Sequence, residues 1–373
     1  MTEKELEQYI SEIEGGDPAA EKAATERQAA LIKPPGSLGE LETISIRLAA
    51  LTGKVRQHFR KPLVIILSAD NGVFEEGVSS APQSVTIQQT INFIRRMTGV
   101  GALTKEFGND LLVLDMGINA TVPAELSSKD MADYQTKVID RKIAYGTKNF
   151  AKEPAMTREQ VLQAIAAGIE AVEFAKAQGH DILGVGEMGI CNTSTSSAVL
   201  GSLAELSAEQ VCGRGGGLED APFLHKKEIV AQAIAAARTE HLDPVGVLAL
   251  CGGFDIAAMT GVFLAAAHER MPVLIDGYIS VTAAVAAAKI CPEATTAMLA
   301  THQSFEIGYM KAAAELGVHP YLDLGMRLGE GSGCVIGFEV VRAACAVMDG
   351  MATFEEGGIN DDYLEEIRKG DCF

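Results

Sequence analysis

From residue 62 onward, apolar positions fall in short unbroken runs divided by longer, alanine-rich stretches. The runs are PLVIILSA at 62–69, DLLVLDMG at 110–117, DILGVGE at 181–187, VGVLALCGG at 245–253, PVLIDG at 272–277 and AMLATHQS at 297–304. Apolar on successive positions rather than alternate ones, each run fits a strand buried on both faces. Strands of that kind alternating with helical stretches predict an α/β fold with a mostly parallel six-stranded sheet and helices on both faces. The first sixty residues read instead as helices. An apolar stripe runs from Glu3 to Ile13, a second helix spans Pro18 to Ile32, and Lys33-Pro34-Pro35-Gly36 stops it. Ser37 with Glu40 three residues on forms a capping box that predicts a third helix to about Leu51. A last helix is expected from Ser332 to about Gly350, ahead of an acidic tail.

With 373 residues the chain has length for a sizeable core, and the hydrophobic fraction of 47% with no Trp means that core is built from Ala, Val, Ile and Leu. The net charge of −19 argues against a nucleic-acid partner, since no basic stripe offsets it. Seven cysteines, an odd number with no C-x-x-C pair, read as reduced thiols rather than a disulfide framework. There is no hydrophobic signal region at the N-terminus, and no apolar run reaches the roughly 18 residues of a membrane span. The expected location is the cytoplasm.

Chemistry collects just after the six runs, in SADNGV, DMGIN, GVGEMGICNTSTSS, CGGFDIAAMTG, DGYIS and THQSFE. Ligands of open α/β sheets bind outside the carboxyl ends of the strands, where these segments would lie. GVGEMG, Gly184 to Gly189, matches a dinucleotide fingerprint in form, but no second strand follows it closely enough to complete a βαβ unit. That weighs against an oxidoreductase. GRGGG, Gly213 to Gly217, offers backbone N–H groups and a guanidinium to a phosphate, with Lys226 and Lys227 following in the next helix. No P-loop, H-E-x-x-H or G-x-S-x-G occurs, and the histidines are scattered. Cys191 has no histidine base near it in sequence and reads as an apolar wall. Glu330 stands between Gly329 and Gly331, either in a solvated turn or presented to a ligand that approaches the backbone closely.

Taken in series, KPPGSLGELE, SADNGV, GEMGICNTST, GRGGGLED, GGFDIAAMTG, DGYIS, THQS and LGEGSG resemble the nicotinate-nucleotide:dimethylbenzimidazole phosphoribosyltransferases of cobamide lower-ligand assembly. The resemblance runs over nearly the whole chain. It implies a Rossmann-like domain over 61–339, a small helical domain from 1–60 with 340–373, and a dimer whose partner helps build the site. It implies transfer of the phosphoribosyl group of nicotinate mononucleotide to a benzimidazole, with no metal and no organic cofactor. By that comparison Glu330 is the general base and Glu187 a second active-site acid. Gln89, Ala81 and Leu328 would face the base. Gly189, Asn192, Gly213, Arg214, Gly215, Lys227 and Ser304 would hold the nucleotide and its phosphate, and the glycines beside Glu330 would admit a flat ring. The chain departs from many relatives at Asn71, Ala81 and Cys191. Some relatives accept phenol or p-cresol and work as two homologous chains, so a phenolic acceptor, a heteromeric partner and a non-catalytic partner chain stay open.

Overall fold

Residues 1–364 are described by a computed structural model of the chain. Three helices come first, α1 (Glu3–Ile10), α2 (Pro18–Ala30) and α3 (Glu40–Thr52). β1 (Pro62–Ala69), α4 (Ser84–Ile94), α5 (Gly99–Phe107) and β2 (Asp110–Gly117) follow. Two short strands, β3 (Ser127–Ser128) and β4 (Val138–Asp140), precede α6 (Arg158–Ala177) and β5 (Ile182–Met188). The chain then runs through α7 (Asn192–Leu203), α8 (Ala208–Val211), α9 (Asp220–Thr239), α10 (Pro244–Cys251) and α11 (Phe254–His268) to β6 (Val273–Ile275). α12 (Tyr278–Ile290), β7 (Met298–Ala300), α13 (Tyr309–Leu316) and α14 (Ser332–Gly350) complete it.

The strands form one parallel sheet in the order β3-β4-β2-β1-β5-β6-β7. β1 shows why its run has no polar position. Leu63, Ile65 and Leu67 belong to a large core with α6, α11 and α12, while Val64 and Ile66 point the other way. There they meet Leu48 of α3, Phe93 of α4, Val100 of α5 and Phe338 of α14. A strand walled on both faces by helices has to be apolar at every residue.

The first helices meet the last one. α2 and α3 close on the far end of α14 through Ala24, Ala49 and Met348. The Arg27 guanidinium donates to the carbonyls of Met348, at 2.7 Å, and Met351, at 3.2 Å. α14 itself is continuous from Ser332 to Gly350, and its first half packs on the sheet.

Three expectations need correction. The run at 245–253 is not a strand but helix α10. Asp243 accepts from the Gly246 N–H at 2.8 Å and Pro244 occupies the first turn, a helix start that apolar content alone conceals. The sheet has seven strands, because β3 and β4, of two and three residues, are too short to leave a pattern. Ser37 does not cap α3; the cap position is Gly39, and Glu42 accepts from the Leu38 N–H at 3.0 Å instead. The six cysteines among the described residues are free and buried, whereas Cys372 and the end of the acidic tail lie outside them. Among the described residues no helix is long and apolar enough to cross a membrane.

Candidate active site

The carboxyl ends of β5, β6 and β7 open onto a cleft of about 390 Å³. β5 delivers Glu187 and Met188 to its floor, and the turn after β6 delivers Asp276 and Gly277. His302 and Ser304 follow β7, α4 contributes Val85 and Gln89, and the 327–330 segment closes one wall.

Glu330 is 5% exposed, which rules out the solvated turn. Its Oε1 accepts from Gln89 Nε2 at 2.7 Å, and Oε2 lies 3.5 Å from the Val100 N–H at the start of α5. The residue has φ of +64°, between Gly329 at +85° and Gly331 at +80°. A left-handed conformation costs a non-glycine residue of order 1 kcal/mol or more, so the surroundings must enforce it. The glycines have a packing role within the fold. A Cβ on Gly329 would stand 2.4 Å from Glu187 Oε1, and one on Gly331 would stand 2.7 Å from Val64. The missing side chains let a second carboxyl and the sheet come up to the turn.

Glu187 Oε1 accepts from the Glu330 N–H at 3.4 Å. Its other oxygen accepts from Asn192 Nδ2, which also donates to Asp255 at 3.3 Å. Burial, with the Asp255 charge adding to it, pushes the Glu187 carboxyl up to about 8. Burial likewise lifts Asp255 to about 6 and Asp276 to about 7. Asp276 spans the start of α14, accepting from the Gly331 N–H at 2.9 Å and the Gly333 N–H at 2.7 Å.

The opposite end of the cleft is cationic. Arg214, Gly215 and Gly216 form one side, beside Thr193 in the first turn of α7. Lys226, 1% exposed, donates from Nζ to Thr193 Oγ1 at 2.9 Å and to the Gly213 carbonyl at 3.0 Å. Arg214 turns back on its own loop, donating to the Leu218 carbonyl at 2.8 Å and to Asp220 at 2.6 Å. Glu306 also lines this end, its carboxyl pushed up by burial while Lys226 pulls it down.

All the residues expected at the site line this cleft except Gly213 and Lys227. Gly213 sits behind the wall as the acceptor for Lys226. The Lys227 ammonium lies 4.7 Å over the Phe223 ring, which Arg214 covers at 4.6 Å. Its neighbour Lys226 is the cation buried against the loop, and neither lysine lines the cleft itself. Cys191 is on the wall with φ of +74°, and burial pushes its thiol up to about 12, so it is no nucleophile at neutral pH. Asn71 lies fully buried behind the cleft and donates to the Ile190 carbonyl at 3.2 Å. Gly184 and Gly186 are strand residues of β5, and a Cβ on Gly186 would stand 2.5 Å from the Glu330 backbone. They make room for α14 and its turn rather than a pyrophosphate loop. Among the described residues no three His, Cys, Asp or Glu side chains converge to hold a metal ion. Sequence reasoning assigned no role to Asp276 or Glu306, although both lie in segments it had marked.

A family profile described as phosphoribosyltransferase matches residues 13–359. A nicotinate-nucleotide–dimethylbenzimidazole phosphoribosyltransferase of Clostridium perfringens is 50% identical over 368 residues, covering 99% of each chain. One of Clostridium tetani is 41% identical over 367 residues, covering 98% of each. The crystal structure of CobT from Thermus thermophilus superposes with a TM-score of 0.86 at 35% identity, over 92% of this chain and all of that one. Full-length coverage at these identities, with the same fold around the cleft, places the chain in the phosphoribosyltransferase family of nicotinate-nucleotide–dimethylbenzimidazole enzymes.

Proposed function

We propose that the chain transfers the phosphoribosyl group of nicotinate mononucleotide to a benzimidazole, dimethylbenzimidazole or a close relative, in cobamide lower-ligand assembly. The observation that supports this best is a buried acid, Glu330, held by Gln89 and facing the same cleft as Arg214, Gly215 and Gly216, with Lys226 buried behind that loop. The 5′-phosphate sits at the cationic end, against the Gly215–Gly216 backbone, the first turn of α7 and Lys226, with Ser304 alongside. The base enters between Gln89, Ala81 and Leu328. Glu330 accepts the proton from the azole N–H as the other ring nitrogen, which holds the free lone pair, bonds to the anomeric carbon. The bond from that carbon to the nicotinate nitrogen breaks, its electron pair neutralises the pyridinium ring, and attack from the opposite face converts β to α. General-base assistance of this kind contributes on the order of 10² to 10⁴ in rate, and positioning of two bound rings much of the remainder. At neutral pH Glu187 keeps its proton and adds no negative charge beside Glu330.

The second copy of the chain belongs, in this reading, on the mouth of the cleft. Leu328 of the cleft wall is more than half exposed, as are Phe305, Ile307 and Leu324 on the segments that follow β7 and precede α14.

The test is incubation of the purified chain with nicotinate mononucleotide and a panel of dimethylbenzimidazole, benzimidazole, adenine, phenol and p-cresol, with mass detection of products. A nitrogen-linked riboside phosphate is expected. An oxygen-linked product moves the chain to the phenol-accepting branch, and no product despite nucleotide binding makes it a partner subunit. Sedimentation of the same sample is expected to show a dimer.

A further inference from the structure

Two amide N–H groups at the start of α14 have no cap from their own segment. The cap position is Gly331, which has no side chain to offer. The acceptor comes from elsewhere in the sheet: Asp276, just past β6, takes the Gly331 N–H on one carboxylate oxygen and the Gly333 N–H on the other. Those amides flank Ser332, whose hydroxyl donates back to the Gly329 carbonyl at 2.7 Å. The amide just before them, that of Glu330, is taken by Glu187. The left-handed turn at 329–331 is thus gripped from beneath by two buried carboxyls from neighbouring strands, while Gln89 takes the Glu330 side chain from above. A carboxylate at a helix N-terminus is stabilised by the unpaired N–H groups and by the helix dipole, so the grip is strong in both directions.

We propose that Asp276 is a positioning residue for the transfer reaction: by clamping the first turn of α14 it holds Glu330 in its left-handed conformation with the carboxylate aimed at the base. It acts through Glu330 rather than on the substrate. Asp276 also faces His302, 3.9 Å from Nδ1, and carries electrostatic interactions with Glu187, Glu330, Tyr309 and Cys334. It is embedded in the site on every side, yet the two amides are its close partners. The inference rests on the transferase reading above and deepens it.

The experiment is a double-mutant cycle on the full chain with Asp276→Asn and Glu330→Gln, following steady-state kinetics with nicotinate mononucleotide and dimethylbenzimidazole. Asp276→Asn keeps the shape and replaces one acceptor oxygen by an NH₂ that cannot accept an amide hydrogen. The expected result is a fall in kcat of roughly 10- to 100-fold, the scale of a displaced catalytic group, with KM for the nucleotide within about twofold. In the Glu330→Gln background the same change is expected to cost less than about twofold, because the group it positions is already gone. An equal loss in both backgrounds, a raised nucleotide KM with kcat intact, or no loss at all would each overturn the assignment. If Asp276→Asn does not accumulate as folded protein that binds nucleotide by calorimetry, Asp276→Ser carries the same expectations, since its hydroxyl can still accept one amide. An inactive wild-type chain would instead refute the transferase reading itself, so the two failures are separate results.

Discussion

The two ends of the cleft are built in opposite ways. At the acid end every carboxyl is held by groups that a substrate does not need: Glu330 by Gln89, Glu187 by Asn192, Asp276 by two helix amides. At the cationic end Lys226 is spent on the Gly213 carbonyl and Thr193, and Arg214 on its own loop. The acid end is therefore complete before any ligand arrives. The cationic end has to share or exchange its internal partners with a phosphate. Chemistry is preorganised in the backbone, and binding is left to side chains on a glycine-rich segment.

If that contrast holds, changes at the acid end should appear in kcat and changes at the cationic end in KM. The largest effect is expected from Glu330→Gln, which should lower kcat with benzimidazoles by about 10²-fold while calorimetry shows nucleotide binding intact. Unchanged turnover would remove Glu330 from the base role. Next comes a comparison of neighbours. Lys226→Met should raise KM for nicotinate mononucleotide by roughly 10- to 100-fold, the loss of a charge-assisted hydrogen bond of about 1.5–3 kcal/mol, whereas Lys227→Met should stay within about twofold. The reverse order would show that the loop turns over when phosphate binds.

A third measurement uses pH without touching the substrate. Glu187, raised to about 8, and Asp276, raised to about 7, keep protons in the fold that the unfolded chain releases above about pH 4. The folded state binds more protons in that window, so their stabilisation is complete below the unfolded values and is lost as pH rises through the folded ones. His180 and His302, lowered by burial, act with the opposite sign, but only below about pH 7. Between about pH 7 and about pH 8 the Tm should therefore fall, and fall less in Glu187→Gln; a flat wild-type profile would contradict the protonated Glu187. The smallest effect belongs to Ala81→Ser, at the base end. It should change the ratio of benzimidazole to phenol turnover by on the order of threefold and leave the nucleotide KM alone, which product ratios in mixed-acceptor assays would show.

What the sequence made legible follows the same division. Buried strands and the acids after them could be read because both faces of the sheet demand apolar residues and the ligand edge demands polar ones. The run at 245–253 misled because a helix buried on all sides is as apolar as a strand, and only Asp243-Pro244 ahead of it marks the difference. Motif position points to Lys227. Helical spacing puts Lys226 instead on the buried face of α9, with 229, 230, 233, 234 and 237. Asp276 had no local signal beyond the DGYIS segment, because the amides it holds are more than fifty residues away. The reason for Gly329 was likewise hidden: it is the carboxyl of Glu187, from a different strand, that occupies the missing side chain's place.

The position of the 329–331 turn in the chain also orders the protein's own synthesis. All seven strands, the GRGGG loop and Lys226 precede Glu330, and the helix that fixes it reaches on to the carbonyls that Arg27 grips. On the ribosome, the phosphate end of the cleft emerges before its acid, and the far end of α14 closes against the first helices made. A chain interrupted before that point would carry the nucleotide end of the site without its base, so the order of translation itself keeps the chemistry for the finished molecule.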